Sequence, residues 1–63
     1  MNNSDAQAAL LLTSVAASKA LSISSRKLWS MTASGEIPHV RLGRCVRYPI
    51  KDLQRWIEEQ KKG

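Results

Sequence analysis

The stretch "IPHVRLGRCVRYP", residues 37–49, sets Arg41, Arg44 and Arg47 around Gly43 and contains no acid. A second cationic group, "SSRK", joins Ser24, Ser25, Arg26 and Lys27, with Ser30 one helical turn beyond Arg26. Hydroxyls, an ammonium and guanidiniums are hydrogen-bond donors rather than nucleophile–base sets. An arginine fork matches two acceptors at once, on a phosphate or on the edge of a guanine. The chemistry within reach is therefore recognition of a polyanion. Nothing else in the chain points to catalysis. His39 has no acid or cysteine at metal-ligand spacing, and Cys45 has no visible base or oxyanion site to serve it. Asp52, Glu58 and Glu59 fall near basic residues, as solvated ion pairs do. With no Gly-rich phosphate loop, Ser/His/Asp set or metal cluster, the chain reads as a non-enzyme that needs no cofactor and no metal.

Size and charge agree. A chain of 63 residues makes one domain at most. At this length only about 60% of the unfolded surface is buried, so stability is marginal and an enclosed active site has little room. A net charge of +5 on so small a body favours nucleic acid over a membrane surface as partner. The single cysteine cannot close an internal disulfide, which fits a reducing, cytosolic compartment. The run "AALLLTSVAASKA" imitates the core and cleavage site of a signal peptide. However, residues 1–9 carry only Asp5 where a basic segment is required, and no run approaches the ~20 apolar residues of a membrane span.

These groups need elements to position them. Residues 1–10 read as a disordered N-terminal arm and 11–61 as the folded domain. Thr13 is a good N-cap, and Val15, Ala16, Ala17, Ala20 and Leu21 recur at helical spacing, which predicts a helix over 14–21. Leu12 ahead of the cap and Ala17 at the fourth helical position fit a weak hydrophobic staple. Ser24 caps a second helix over 25–34, which puts Leu28 and Met31 on one face and Gly35 at the left-handed position beyond the end. A connection this short, with apolar Ile23 inside it, describes a helix-turn-helix.

Two short strands then flank Gly43. A register pairing Val40 with Val46 keeps Val40, Val46 and Tyr48 on one face, and His39, Arg41, Cys45 and Arg47 on the other. That register is preferred over a two-residue Gly43–Arg44 turn, which would mix the faces. Pro49 suits the first turn of a third helix, about 50–61, striped with Leu53, Trp56, Ile57 and Ile50. The order is helix–helix–strand–strand–helix: a mainly α fold with a small β-hairpin, a winged helix-turn-helix.

In such a fold the second helix enters the major groove with its early residues on base edges. Arg26 is the candidate for a guanine; Lys27 and Ser25 suit base or phosphate, and Ser24 a phosphate. Ser30 lies on the same helix. The hairpin is a wing whose outward face carries Arg41 and Arg47 and whose tip carries Arg44, suited to the negative minor groove. Thr13, Lys19 and Trp29 are phosphate-contact candidates. Trp56 belongs with the core. Trp29 either packs or lies against sugar–phosphate, with partial burial favoured.

The residues "LLTSVAASKALSISSRKLW" and "GEIPHVRLGRCVRYPIKDLQRWI" resemble, in order and spacing, the small excisionase/AlpA-like DNA-binding proteins, winged-helix relatives of the MerR DNA-binding domain. The likeness runs from about Leu11 to Ile57. It implies a bacterial protein encoded by a phage or mobile element, cytoplasmic and associated with the nucleoid. It also implies binding of double-stranded DNA beside attachment sites to direct an integrase toward excision, with self-association on adjacent sites. Two other roles stay open: a transcriptional regulator of an integrase gene, and a protein-interaction adaptor whose cue is the apolar helix 14–21 with Leu10–Leu12. The chain departs from many relatives at Val15 and Ala16, where charges are common, at Ser22, where Gly is frequent, and at Trp29, where Tyr is common.

Overall fold

The computed structural model describes residues 10–61; the arm expected over 1–10 lies outside the described residues except for Leu10. In chain order the elements are strand β1 (Leu11–Leu12), helices α1 (Ser14–Leu21) and α2 (Ser25–Ser34), strands β2 (Val40–Leu42) and β3 (Cys45–Pro49), and helix α3 (Ile50–Lys61). This is the expected mainly helical fold with a strand hairpin, extended by β1. The sheet runs β1–β3–β2, both pairings antiparallel. Two leucines show no alternation that would announce a strand, so β1 was not legible from sequence. It forms because Leu12 pairs with Tyr48 and Leu11 with Pro49, while the Leu10 carbonyl accepts the Ile50 N–H at 3.0 Å.

The caps explain the helix bounds. Thr13 Oγ1 accepts from the Ala16 N–H at 3.1 Å, and Ser24 Oγ from the Lys27 N–H at 3.0 Å. Each satisfies a donor that the first helical turn leaves unpaired. At the far end of α2, Gly35 takes φ +81°, and the Gly35 and Glu36 N–H groups close on the Thr32 and Met31 carbonyls. Helix α1 ends the same way on Ser22 at φ 58°, a left-handed backbone that Gly enters without penalty and a serine does not.

Each larger element sends a side chain to one core. Ala17, Leu28, Met31, Ile37, Tyr48 and Leu53 are buried, with Leu12, Leu21, Ile23, Val46 and Trp56 packed against them. Removing side chains such as Leu28 from water contributes roughly 1.5–3 kcal/mol each. Trp56 also donates its indole N–H to the Glu36 carbonyl at 2.9 Å, which ties α3 to the loop after α2. Pro49 closes β3 rather than entering α3. Val15, on the expected apolar stripe of α1, is instead 61% exposed, and Ser18 takes a buried place. The Ser18 hydroxyl tolerates burial because it donates to the Val15 carbonyl at 2.9 Å.

The hairpin register differs from the expected one. Val40 pairs with Arg47, Arg41 with Val46 and Leu42 with Cys45, leaving a two-residue Gly43–Arg44 loop. Gly43 has φ +65° and Arg44 is not in the left-handed region, a combination that fits a type II′ turn, whose twist matches the strands. Arg41 therefore shares a face with Val46 and Tyr48, and Arg47 shares the other with Val40, Leu42 and Cys45. Arg41 and Arg47 do not form one outward face. The mixed faces cost little, because β2 is exposed from Arg41 onward and only Val46 and Tyr48 must reach the core.

Candidate nucleic-acid interface

The first turns of α1 and α2 meet at a groove lined by Ser14, Ser25, Arg26, Leu28, Trp29 and Tyr48. Leu28 and Tyr48 are buried and make its floor; the other residues, all exposed, make its rim. Neither helix has an acid in its first turn, so the partial positive charge of both N-termini stays uncompensated at this groove. The capping oxygens of Thr13 and Ser24 accept from backbone, which leaves their O–H protons free to donate outward. A phosphate at such a place meets backbone dipoles, hydroxyls and a guanidinium together.

Of the expected site residues, the structure brings Ser25, Arg26 and Trp29 together at this groove. Ser24 and Lys27 join through the cap, and Ser30 is exposed one turn on. Trp29, expected to be partly buried, is 53% exposed: buried Leu28 and Met31 define the inward face of α2, and Trp29 lines the groove rim. Lys19 is exposed in the last turn of α1, away from these N-termini. The wing arginines are not part of the groove wall. Arg41 and Arg44 are exposed, whereas Arg47 is half-buried and donates through Nη1 to the Val46 carbonyl at 2.9 Å, lying back along its own strand.

Charge is divided sharply. Helices α1 and α2 and the hairpin contain no acid; Glu36 sits in the loop between them, and Asp52, Glu58 and Glu59 on α3. Among the described residues the salt bridge is Lys61–Glu58 at 3.2 Å, so none of the arginines of α2 or the wing is neutralised by a carboxylate. His39 Nδ1 faces the Ile37 carbonyl at 2.9 Å, and since a carbonyl only accepts, that nitrogen carries the proton. Cys45 is free and exposed. Among the described residues no three His, Cys, Asp or Glu gather at a metal-binding distance, and no helix is long and apolar enough to cross a membrane.

Sequence reasoning missed the partnership of Thr32 and Tyr48, whose hydroxyls meet at 2.7 Å beneath the groove. The signal was a hydroxyl at the fourth position after Leu28, on the buried face of α2, opposite a tyrosine of apolar parity. A family model described as a helix-turn-helix domain matches residues 11–61. No curated protein and no solved structure matches the chain.

Proposed function

From the premise that the chain belongs to the helix-turn-helix domain family, a family of DNA-binding rather than catalytic domains, we propose that it binds double-stranded DNA sequence-specifically as an excisionase-like recombination directionality factor. The observation that carries this reading is that α1, α2 and the hairpin contain no acid while Arg26, Lys27, Arg41 and Arg44 are exposed. Arg26 reads a base edge in the major groove, assisted by Ser25, Lys27 and Ser30. Ser24, Thr13 and Trp29 rest on the phosphate and sugar that pass the groove rim, and Lys19 adds a more distant charge. The wing reaches the minor groove with Arg44 at its tip and Arg41 beside it. Arg47 contributes charge from closer to the sheet. The resemblance of the sequence to MerR-like winged domains supports this reading, and with it a setting on bacterial DNA in the cytoplasm is part of the proposal.

A domain this small offers few base contacts, so occupation of adjacent sites by several copies, next to an integrase, completes the picture. Selection from a random duplex library tests the binding: the wild-type chain should enrich a defined motif, and an unenriched pool would contradict it. Excision is separated from regulation of an integrase gene by deleting the gene while supplying integrase from a plasmid. A directionality factor remains necessary for excision; a regulator becomes dispensable. Exposed Val15 and Leu10 favour a second reading, a protein-interaction adaptor. That reading wins if the chain shifts no duplex and co-purifies with a protein.

A further inference from the structure

Tyr48 is wholly buried and Thr32 is 2% exposed, so neither hydroxyl is in a position to touch DNA. Their oxygens lie 2.7 Å apart, and Thr32 Oγ1 also donates to the Leu28 carbonyl at 2.8 Å. A threonine hydroxyl has one proton. With that proton on the Leu28 carbonyl, Tyr48 must donate the 2.7 Å bond, and the relay runs from Tyr48 through Thr32 to Leu28. The buried residues around this pair, Ala17, Leu28, Met31, Ile37 and Leu53, are apolar, and burial of apolar surface is itself non-directional. A hydrogen bond constrains distance and angle.

Tyr48 is also a junction. It pairs with Leu12, one residue ahead of the cap of α1; it follows Arg47 in the wing; its hydroxyl is fixed to α2; and it shares the groove floor with Leu28, beneath Arg26 and Trp29. Tyr48 thus joins β1 by backbone pairing, belongs to the wing strand β3, and reaches α2 through its hydroxyl.

Resting on the DNA-binding reading above, we infer that the Thr32–Tyr48 hydrogen bond is the positioning contact that sets the recognition helix against the wing, and so determines discrimination between duplexes rather than general affinity for DNA. The distinction follows from the two kinds of contact. Phosphate attraction is long-ranged and survives small displacements. A bidentate arginine–base pair needs its geometry and loses it when the helix shifts.

The test uses two probes: the duplex most enriched by the wild-type chain, and a shuffled duplex of the same composition. Tyr48→Phe leaves Thr32 bonded to Leu28 and strands no donor. Affinity for the enriched duplex should fall about five- to tenfold, with affinity for the shuffled duplex held within about twofold. Thr32→Ser should keep wild-type discrimination. Thr32→Val strands the tyrosine hydroxyl and lowers the melting temperature; adding Tyr48→Phe replaces both partners by apolar groups and should restore it. The double variant should nevertheless discriminate as poorly as Tyr48→Phe. If discrimination instead follows melting temperature across the set, the pair is purely structural and the inference is overturned. A wild-type chain that enriches no duplex removes the DNA reading and this inference with it. A wild type that enriches one, matched by an equally discriminating Tyr48→Phe, overturns this inference alone.

Discussion

Arg26 stands on a helix whose Leu28, Met31 and Thr32 are buried and whose two ends are closed by Ser24 and Gly35. Arg44 stands on a turn where Leu42, Gly43, Arg44 and Cys45 are all exposed. The first arginine is held by a core, two caps and a buried hydroxyl relay; the second is held by a two-residue loop on a hairpin that reaches the core through Val46 and Tyr48. Reading a base edge requires a donor in a fixed place, whereas following a phosphate backbone requires charge that adapts. The anchored helix suits the first task and the exposed wing suits the second.

The largest effect comes from removing the anchor of the helix. Leu28→Ala should cost about 2–5 kcal/mol, comparable with the whole stability of so small a domain. Circular dichroism should show the chain largely unfolded at 37 °C. Next, Arg26→Ala should cost about 1–3 kcal/mol against the preferred duplex and relax selection at one base pair, read by repeating the library selection. Arg44→Ala should act more weakly and evenly, lowering affinity for preferred and shuffled duplexes alike and reducing the salt slope by about 1. Should the two arginine variants show the same pattern, the division of labour between helix and wing is wrong. The smallest effect touches neither region. Ser22→Gly relieves a left-handed serine worth about 1 kcal/mol and should raise the melting temperature by about 4–8 °C with DNA affinity unchanged.

Much of this molecule was legible in its sequence because local chemistry decided it. Thr13, Ser24 and Gly35 stop helices by satisfying or freeing particular backbone groups, and these act within a few residues. The spans of α1 and α2 follow from them, and that of α3 from Pro49 and the apolar stripe after it. The failures came from tertiary context. Parity favoured pairing Val40 with Val46, yet the turn around Gly43 and the small core let Val40 pair with Arg47 instead. Leu11 and Leu12 became a strand only because β3 was there to receive them. The basic residues of α2 could be named from type and spacing alone. The buried Thr32–Tyr48 pair that sets them against the wing joins positions distant in sequence, so no local pattern revealed it.

The central claim is that an unneutralised cationic face grips a duplex. Its most direct test is a fluorescence-anisotropy titration of the wild-type chain with its enriched duplex across a range of salt concentrations. With about five phosphates engaged, log K should fall against log salt with a slope near −4 to −5. Binding that holds constant across the same range, or no binding at all, would contradict it.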